Sequence, residues 1–149
     1  MEQDTKSLLA MTLFYVFAAA LFGFGTDIFS FRSAYVGDGR EVLMLVVRLA
    51  VYVILAILLV FKGGWQGVVA AIVMAAAATT LQWFLFPLAY DWAAISDPGG
   101  YAEVFGYVSR PSYFEWPAVY DVFGVGISAV LVQGMRVMAH VNPKGPQDE

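Results

Sequence analysis

Three long runs of apolar residues constrain this chain more than any other feature of its sequence. Ser7 to Thr26 and Gly63 to Tyr90 contain no charged residue, and Val42 to Phe61 contains only Arg48. A bilayer core about 30 Å thick is crossed by about 20 helical residues. Each run is therefore long enough to cross a membrane as a single helix.

A fourth helix is predicted near the C-terminus, although only Val122 to Met135 is free of charge there. We extend this helix to His140 and back to Pro117, because proline is tolerated in the first turn of a helix. The third run exceeds one span, so it either tilts or breaks near Pro87. The predicted helices are 7–26, 42–61, 64–90 and 117–140, with an extramembrane loop at 91–116 and a polar tail at 141–149.

The composition agrees with a membrane location. Hydrophobic residues make up 60% of the chain and charged residues 13%, against roughly 45–50% and about 25% in soluble domains. The sequence therefore predicts an all-α, polytopic protein of the cell membrane that forms one four-transmembrane-helix bundle. The alternative for the first run is a signal peptide, because Lys6 and Ala18 to Ala20 resemble its charged start and its cleavage site. That run is longer than the roughly 7–15 apolar residues of a signal peptide, which favours a helix.

The distribution of Lys and Arg predicts the orientation. With four spans, both termini and the turn after Lys62 share one side of the membrane. Basic residues are enriched on the cytoplasmic side of membrane proteins, so the side with more of them is expected inside. That side has Lys6, Lys62, Arg136 and Lys144, against Arg32, Arg40 and Arg110 on the other, which predicts cytoplasmic termini.

Charge and residue usage exclude several classes of function. The net charge is −4 and the eight basic residues form no cluster, which argues against a nucleic-acid partner. There is no cysteine and one histidine, His140, so one chain offers neither a thiolate metal site nor a haem site with two histidines. We therefore expect no cofactor and no metal.

The predicted loop 91–116 is unusually rich in aromatic residues for a solvated connection. Trp and Tyr side chains favour the headgroup region of a bilayer, where one end of the ring is apolar and the other is hydrated. The loop is predicted to lie on the membrane surface; the alternative is a lid or a partner-docking surface. Its predicted interfacial aromatics are Trp92, Tyr101, Tyr107, Tyr113 and Trp116.

Small residues recur every four positions on three of the predicted helices. Such faces allow helix backbones to approach closely in a membrane. Packing within the bundle is the simpler interpretation, and association with other membrane subunits or with a second copy is the alternative. The residues are Gly67, Ala71, Ala75 and Thr79 on the third helix, Gly124 and Ser128 on the fourth, and Ala19 and Gly23 on the first.

Polar residues of all four helices are predicted to meet at one level. Counted from the outer end at 1.5 Å per residue, Arg48 lies about 10 Å deep and Gln82 about 13 Å deep. Tyr52 is one turn below Arg48, and Asp27 and Asp121 lie near the same boundary. Asp121 is the predicted main partner of Arg48, with hydrogen bonds from Tyr52 and Gln82 completing the cluster. A second, weaker group, Gln66, Gln133 and Arg136, belongs to the other end.

Arg48 admits three interpretations. An arginine inside a span costs from about 3 to more than 10 kcal/mol, so it normally pairs or reaches the interface. It can fix helix register through a salt bridge, or bind an anionic substrate, a lipid phosphate or a proton-carrying carboxyl group. An enzyme would instead use Asp27 and Asp121 as paired carboxylates, and the motifs expected around such a pair are missing.

Three function classes follow from these observations. The first is a non-catalytic subunit or scaffold of a larger membrane assembly, with the bilayer and other subunits as partners. The second is a small homo-oligomeric transporter or channel that uses the Arg48 and Asp121 region. A membrane enzyme or lipid-handling protein is the least favoured.

Overall fold

The described part of the chain folds into four long helices. The computed structural model describes residues 2–36, 40–95 and 110–141. The helices are α1 (Glu2–Val36), α2 (Arg40–Gly63), α3 (Trp65–Ile95) and α4 (Arg110–Val141). Each contains a segment long and apolar enough to cross a membrane, at Asp4–Phe29, Val42–Gly63, Trp65–Leu85 and Val119–His140. The prediction of four such helices is confirmed.

The helices extend beyond the predicted spans, and this corrects the predicted loop. Residues 91–95 continue α3, and residues 110–116 belong to α4. Pro111 therefore occupies the first turn of α4, where its missing N–H costs nothing, rather than a turn in a loop. Pro87 likewise does not end α3. Of the predicted interfacial aromatics, Trp92, Tyr113 and Trp116 belong to these helix ends, whereas Tyr101 and Tyr107 lie outside the described residues. The predicted polar tail from residue 142 also lies outside them.

Gly64 alone connects α2 to α3. Its φ angle is 56°, a left-handed conformation that glycine adopts without steric cost. Its N–H donates to the Val60 carbonyl at 2.8 Å, and its own carbonyl accepts from the Val68 N–H at 3.1 Å. The third helix therefore begins at Trp65, one residue later than predicted, and runs antiparallel to α2.

The helices pack in a simple order around this hairpin. The α2–α3 pair contacts α1 on one side and α4 on the other. Since α1 and α4 flank the pair, a side chain of α2 can reach both of them. This arrangement places Arg48 of α2 within reach of both α1 and α4.

Half of the buried hydrophobic residues in the interior of the bundle are alanines, whereas many large apolar side chains lie on its outer surface. Ala19, Ala71 and Ala75 are completely buried, whereas Phe14, Phe84 and Phe123 are more than half exposed. Gly67 lies directly against the backbone of Leu59 and Val60, and Gly124 lies against Leu49. The predicted small-residue faces are therefore used within the bundle, where they allow close packing of the helices.

Candidate functional site

Arg48 of α2 lies between two buried carboxylates, one on each flanking helix. Its Nη1 is 3.2 Å from Oδ1 of Asp27 on α1, and its Nη2 is 2.9 Å from Oδ2 of Asp121 on α4. The three residues are only 1–3% exposed. We call them the Arg48 cluster. One guanidinium thus links three of the four helices.

Helix geometry explains how distant residues reach this point. Asp27 is close to the end of the apolar segment of α1, and Asp121 is close to the start of that of α4. Arg48 is a few residues deeper along α2, and helical side chains lean toward the N-terminus of their own helix. The arginine side chain therefore extends back to the level of both carboxylates.

The contacts within the cluster are not equivalent. Arg48 Nη1 donates a hydrogen bond to Asp27. The closer contact with Asp121 is an ion pair without an aligned hydrogen bond, because Oδ2 of Asp121 has no hydrogen-bond partner. The Nε group of Arg48 also has none. The cluster is thus held by charge more than by a complete set of hydrogen bonds.

The cluster contains one more carboxylate than guanidinium. With all three groups ionised, its formal charge is −1. Removing an ion from water costs several kcal/mol even after relaxation, and an opposite charge offsets that cost only where one is present. In that fully ionised state, the second carboxylate leaves a negative charge inside the bundle that no described residue of the cluster compensates.

Tyr52 and Gln82 lie one turn deeper than the Arg48 cluster. Both are fully buried, and neither the Tyr52 hydroxyl nor Nε2 of Gln82 has a hydrogen-bond partner. The Gln82 amide lies directly against Gly23, one turn from Asp27 on the same face of α1. Its amide nitrogen therefore reaches across to α1. The Tyr52 hydroxyl makes no hydrogen bond to Arg48, contrary to the prediction, whereas the hydrogen bond from Arg48 to the Gln82 oxygen stays a prediction.

Below these groups the interior is apolar. Ala56, Leu59 and Met74 are completely buried in the middle of the bundle. The hydroxyls of Thr12 and Thr79, also buried, donate to carbonyls of their own helices, Leu8 and Ala75. Within the described residues, the polar groups of the Arg48 cluster therefore do not continue to the other end of the bundle.

A cleft between α2 and α4 leads from the lateral surface of the bundle to Arg48 and Asp121. Its volume is about 260 Å³. Arg48 and Asp121 form its polar end, and apolar side chains form the rest. It is lined by Val42, Leu45, Val46, Arg48, Leu49, Tyr120 and Asp121.

Sequence reasoning placed the five predicted polar residues at one end of the bundle but ranked their roles differently from the structure. It named Asp121 as the main partner of Arg48 and left Asp27 as a neighbour. The structure places both carboxylates on the guanidinium. The importance of Gly23 as the space for the Gln82 amide was missed, although its place in a small-residue pair was visible in the sequence.

No protein-family model, no curated protein and no solved structure matches the chain.

Proposed function

We propose that the chain is an integral membrane protein of the cell membrane, with cytoplasmic termini, and a non-catalytic subunit of a larger membrane assembly. To that assembly it contributes a buried site for a small monovalent cation, the proton included. One observation carries the proposal: a single guanidinium shared by two buried carboxylates. The four apolar helices support the membrane location.

The charge of the cluster supports a cation site over a purely structural anchor. An anchor needs only a neutral pair, and Arg48 with either aspartate would supply one. The additional carboxylate adds a desolvation cost without adding a second cation. Ionisable groups placed inside membrane segments at such a cost commonly mark ion or proton sites. A cation beside the carboxylates would compensate the excess charge, and the Tyr52 hydroxyl, whose oxygen has no hydrogen-bond partner, offers a further ligand atom one turn away.

The apolar interior below the cluster supports a role within an assembly. A cation that reached the cluster would meet Ala56, Leu59 and Met74 before the other end of the bundle. The described part of one chain therefore offers a site without a polar path beyond it. A neighbouring subunit would have to supply the remainder of a path.

The second candidate is a homo-oligomeric transporter. The cleft between α2 and α4 favours it, because it opens the cluster toward a surface where another copy could pack. An enzyme that uses Asp27 and Asp121 as a catalytic pair is less compatible, since both carboxylates already contact Arg48.

Reconstitution separates the two candidates. The purified chain is placed in liposomes, and efflux of Na⁺, K⁺ and H⁺ is measured against empty liposomes. We expect no flux above that of empty liposomes, because the interior below the cluster is apolar. Cation flux by the purified chain that is lost in Asp27→Asn would contradict the subunit proposal and establish the transporter.

The proposed orientation is testable with single cysteines, because the chain contains none of its own. A cysteine at Ser33 is expected to react with an impermeant maleimide from outside intact cells. One at Gln66, which is exposed at the opposite end of the bundle, is expected to react only after lysis. Labelling in the reverse order would overturn the orientation, and labelling of both from outside would contradict the four spans.

A further inference from the structure

A second polar pocket lies at the opposite end of the bundle from the Arg48 cluster. Its volume is about 310 Å³. It adjoins the turn between α2 and α3, at the point where three of the apolar segments begin or end. We call it the Gln133 pocket; it is lined by Gly64, Gln133, Arg136, Val137 and His140.

Gln133 has an unused polar atom in this pocket. The residue is only 7% exposed, and its Oε1 has no hydrogen-bond partner. The amide lies over the turn, with Nε2 3.6 Å from the position that a Cβ atom on Gly64 would take. A buried carboxamide without a partner for its oxygen carries an uncompensated desolvation cost. A ligand that brings a hydrogen-bond donor would remove that cost.

Arg136 supplies a fixed positive charge to the same pocket. Its Nη1 donates to the Val60 carbonyl at 2.5 Å, and its guanidinium lies 4.9 Å from the centre of the Phe61 ring. These contacts orient the side chain across the end of α2, where a cation is favoured by the helix dipole. No carboxylate among the described residues pairs with Arg136. Among the described residues, the pocket therefore combines a guanidinium that has no carboxylate partner with a carboxamide whose oxygen has no hydrogen-bond partner.

We infer that the Gln133 pocket binds the headgroup of a phospholipid that carries a hydrogen-bond donor beside its phosphate, such as an ethanolamine ammonium. The phosphate would contact Arg136, since a guanidinium matches phosphate oxygens well. The donor would contact Oε1 of Gln133.

The position of the pocket favours a lipid over a soluble anion. Gly63, Trp65 and His140 mark the ends of three apolar segments, so the pocket lies at headgroup depth if the helices span a bilayer. The inference thus rests on the proposed membrane location. It does not depend on the proposed role of the Arg48 cluster.

Lipid selectivity tests the inference. The full chain is titrated with phosphatidylethanolamine and with phosphatidylcholine of identical acyl chains, and bound lipid is counted by native mass spectrometry. Phosphatidylcholine has the same phosphate but no N–H donor. One hydrogen bond of about 1 kcal/mol corresponds to a preference of about fivefold for phosphatidylethanolamine. Diacylglycerol, which lacks the phosphate, is expected to bind more weakly than either.

Two variants test whether the preference for phosphatidylethanolamine over phosphatidylcholine arises from the Gln133 pocket. Gln133→Met removes both polar atoms at nearly constant volume and also removes the unpartnered oxygen, so it is expected to fold at least as well as the parent. The preference should disappear in it and persist in Gln66→Met, which changes an exposed amide at the same end of the bundle.

Three results would overturn the inference. They are equal binding of the two lipids by the parent chain, an unchanged preference in Gln133→Met, and displacement of the lipid by millimolar inorganic phosphate, which would assign the pocket to a soluble anion. Flotation with vesicles is measured on the same preparation. Flotation without selectivity rejects only the headgroup site, whereas failure to float rejects the membrane location.

Discussion

Arg48→Leu is expected to destabilise the protein more than any other single substitution in the cluster, by about 3–5 kcal/mol. The substitution removes the guanidinium of the Arg48 cluster and leaves Asp27 and Asp121 buried without a cation between them. Both carboxylates then lack a partner, and they repel each other. Unfolding of the purified protein in mixed micelles measures the loss.

The matched controls are Asp27→Asn and Asp121→Asn. Each removes one negative charge and leaves a neutral ion pair between Arg48 and the remaining aspartate. The change in stability is expected to stay within about 1 kcal/mol, because replacing a charge with a neutral acceptor restores charge balance. If Arg48 paired with Asp121 alone, Asp121→Asn would be expected to destabilise the protein as much as Arg48→Leu. A loss in Asp121→Asn as large as that in Arg48→Leu would therefore contradict the shared guanidinium.

Gly67→Ala is the second substitution with a large expected effect. An added Cβ would overlap the carbonyl oxygen of Leu59 and lie 2.8 Å from the Cα of Val60. Both are backbone atoms of α2, so no side chain can move to make room. The two helices must separate, and overpacking of this kind typically costs about 1–3 kcal/mol.

Gly25→Ala is the control for Gly67→Ala. It makes the same chemical change within a helix, and nothing lies within 4 Å of the added Cβ. Since alanine favours a helix interior over glycine by up to about 1 kcal/mol, this variant is expected to be unchanged or slightly stabilised. Equal unfolding midpoints for the two variants would show that α2 and α3 do not approach as closely as the structure has them.

The four long helices were predictable because the length of an apolar run with few charged residues indicates the length of the helix that crosses a membrane. Counting 1.5 Å per residue also placed Arg48 and Gln82 at the same end of the bundle. The loop was predicted too long, because a proline such as Pro111 is equally compatible with a turn and with the first turn of a helix. Composition alone does not distinguish the two.

The details of the site were not predictable for a different reason. A helix that is apolar on all faces gives no periodic signal for which face points inward. Nothing in the sequence therefore showed that Asp27 of α1 faces Arg48 as closely as Asp121 does. The orientation of Gln82 depends on the missing side chain of Gly23, a contact between helices that the spacing of residues along one helix cannot reveal.

The proposed cation site lies at the excess carboxylate of the Arg48 cluster. It is tested by the unfolding midpoint of the purified protein in Na⁺, K⁺ or choline chloride at constant ionic strength, and at acid and neutral pH. A cation that binds only the folded bundle stabilises it by about 2.7 kcal/mol at one hundred times its dissociation constant. We predict that one of these cations raises the midpoint of the parent protein and has no effect on Asp27→Asn. A midpoint independent of every cation and of pH, or an equal response in Asp27→Asn, would contradict the claim.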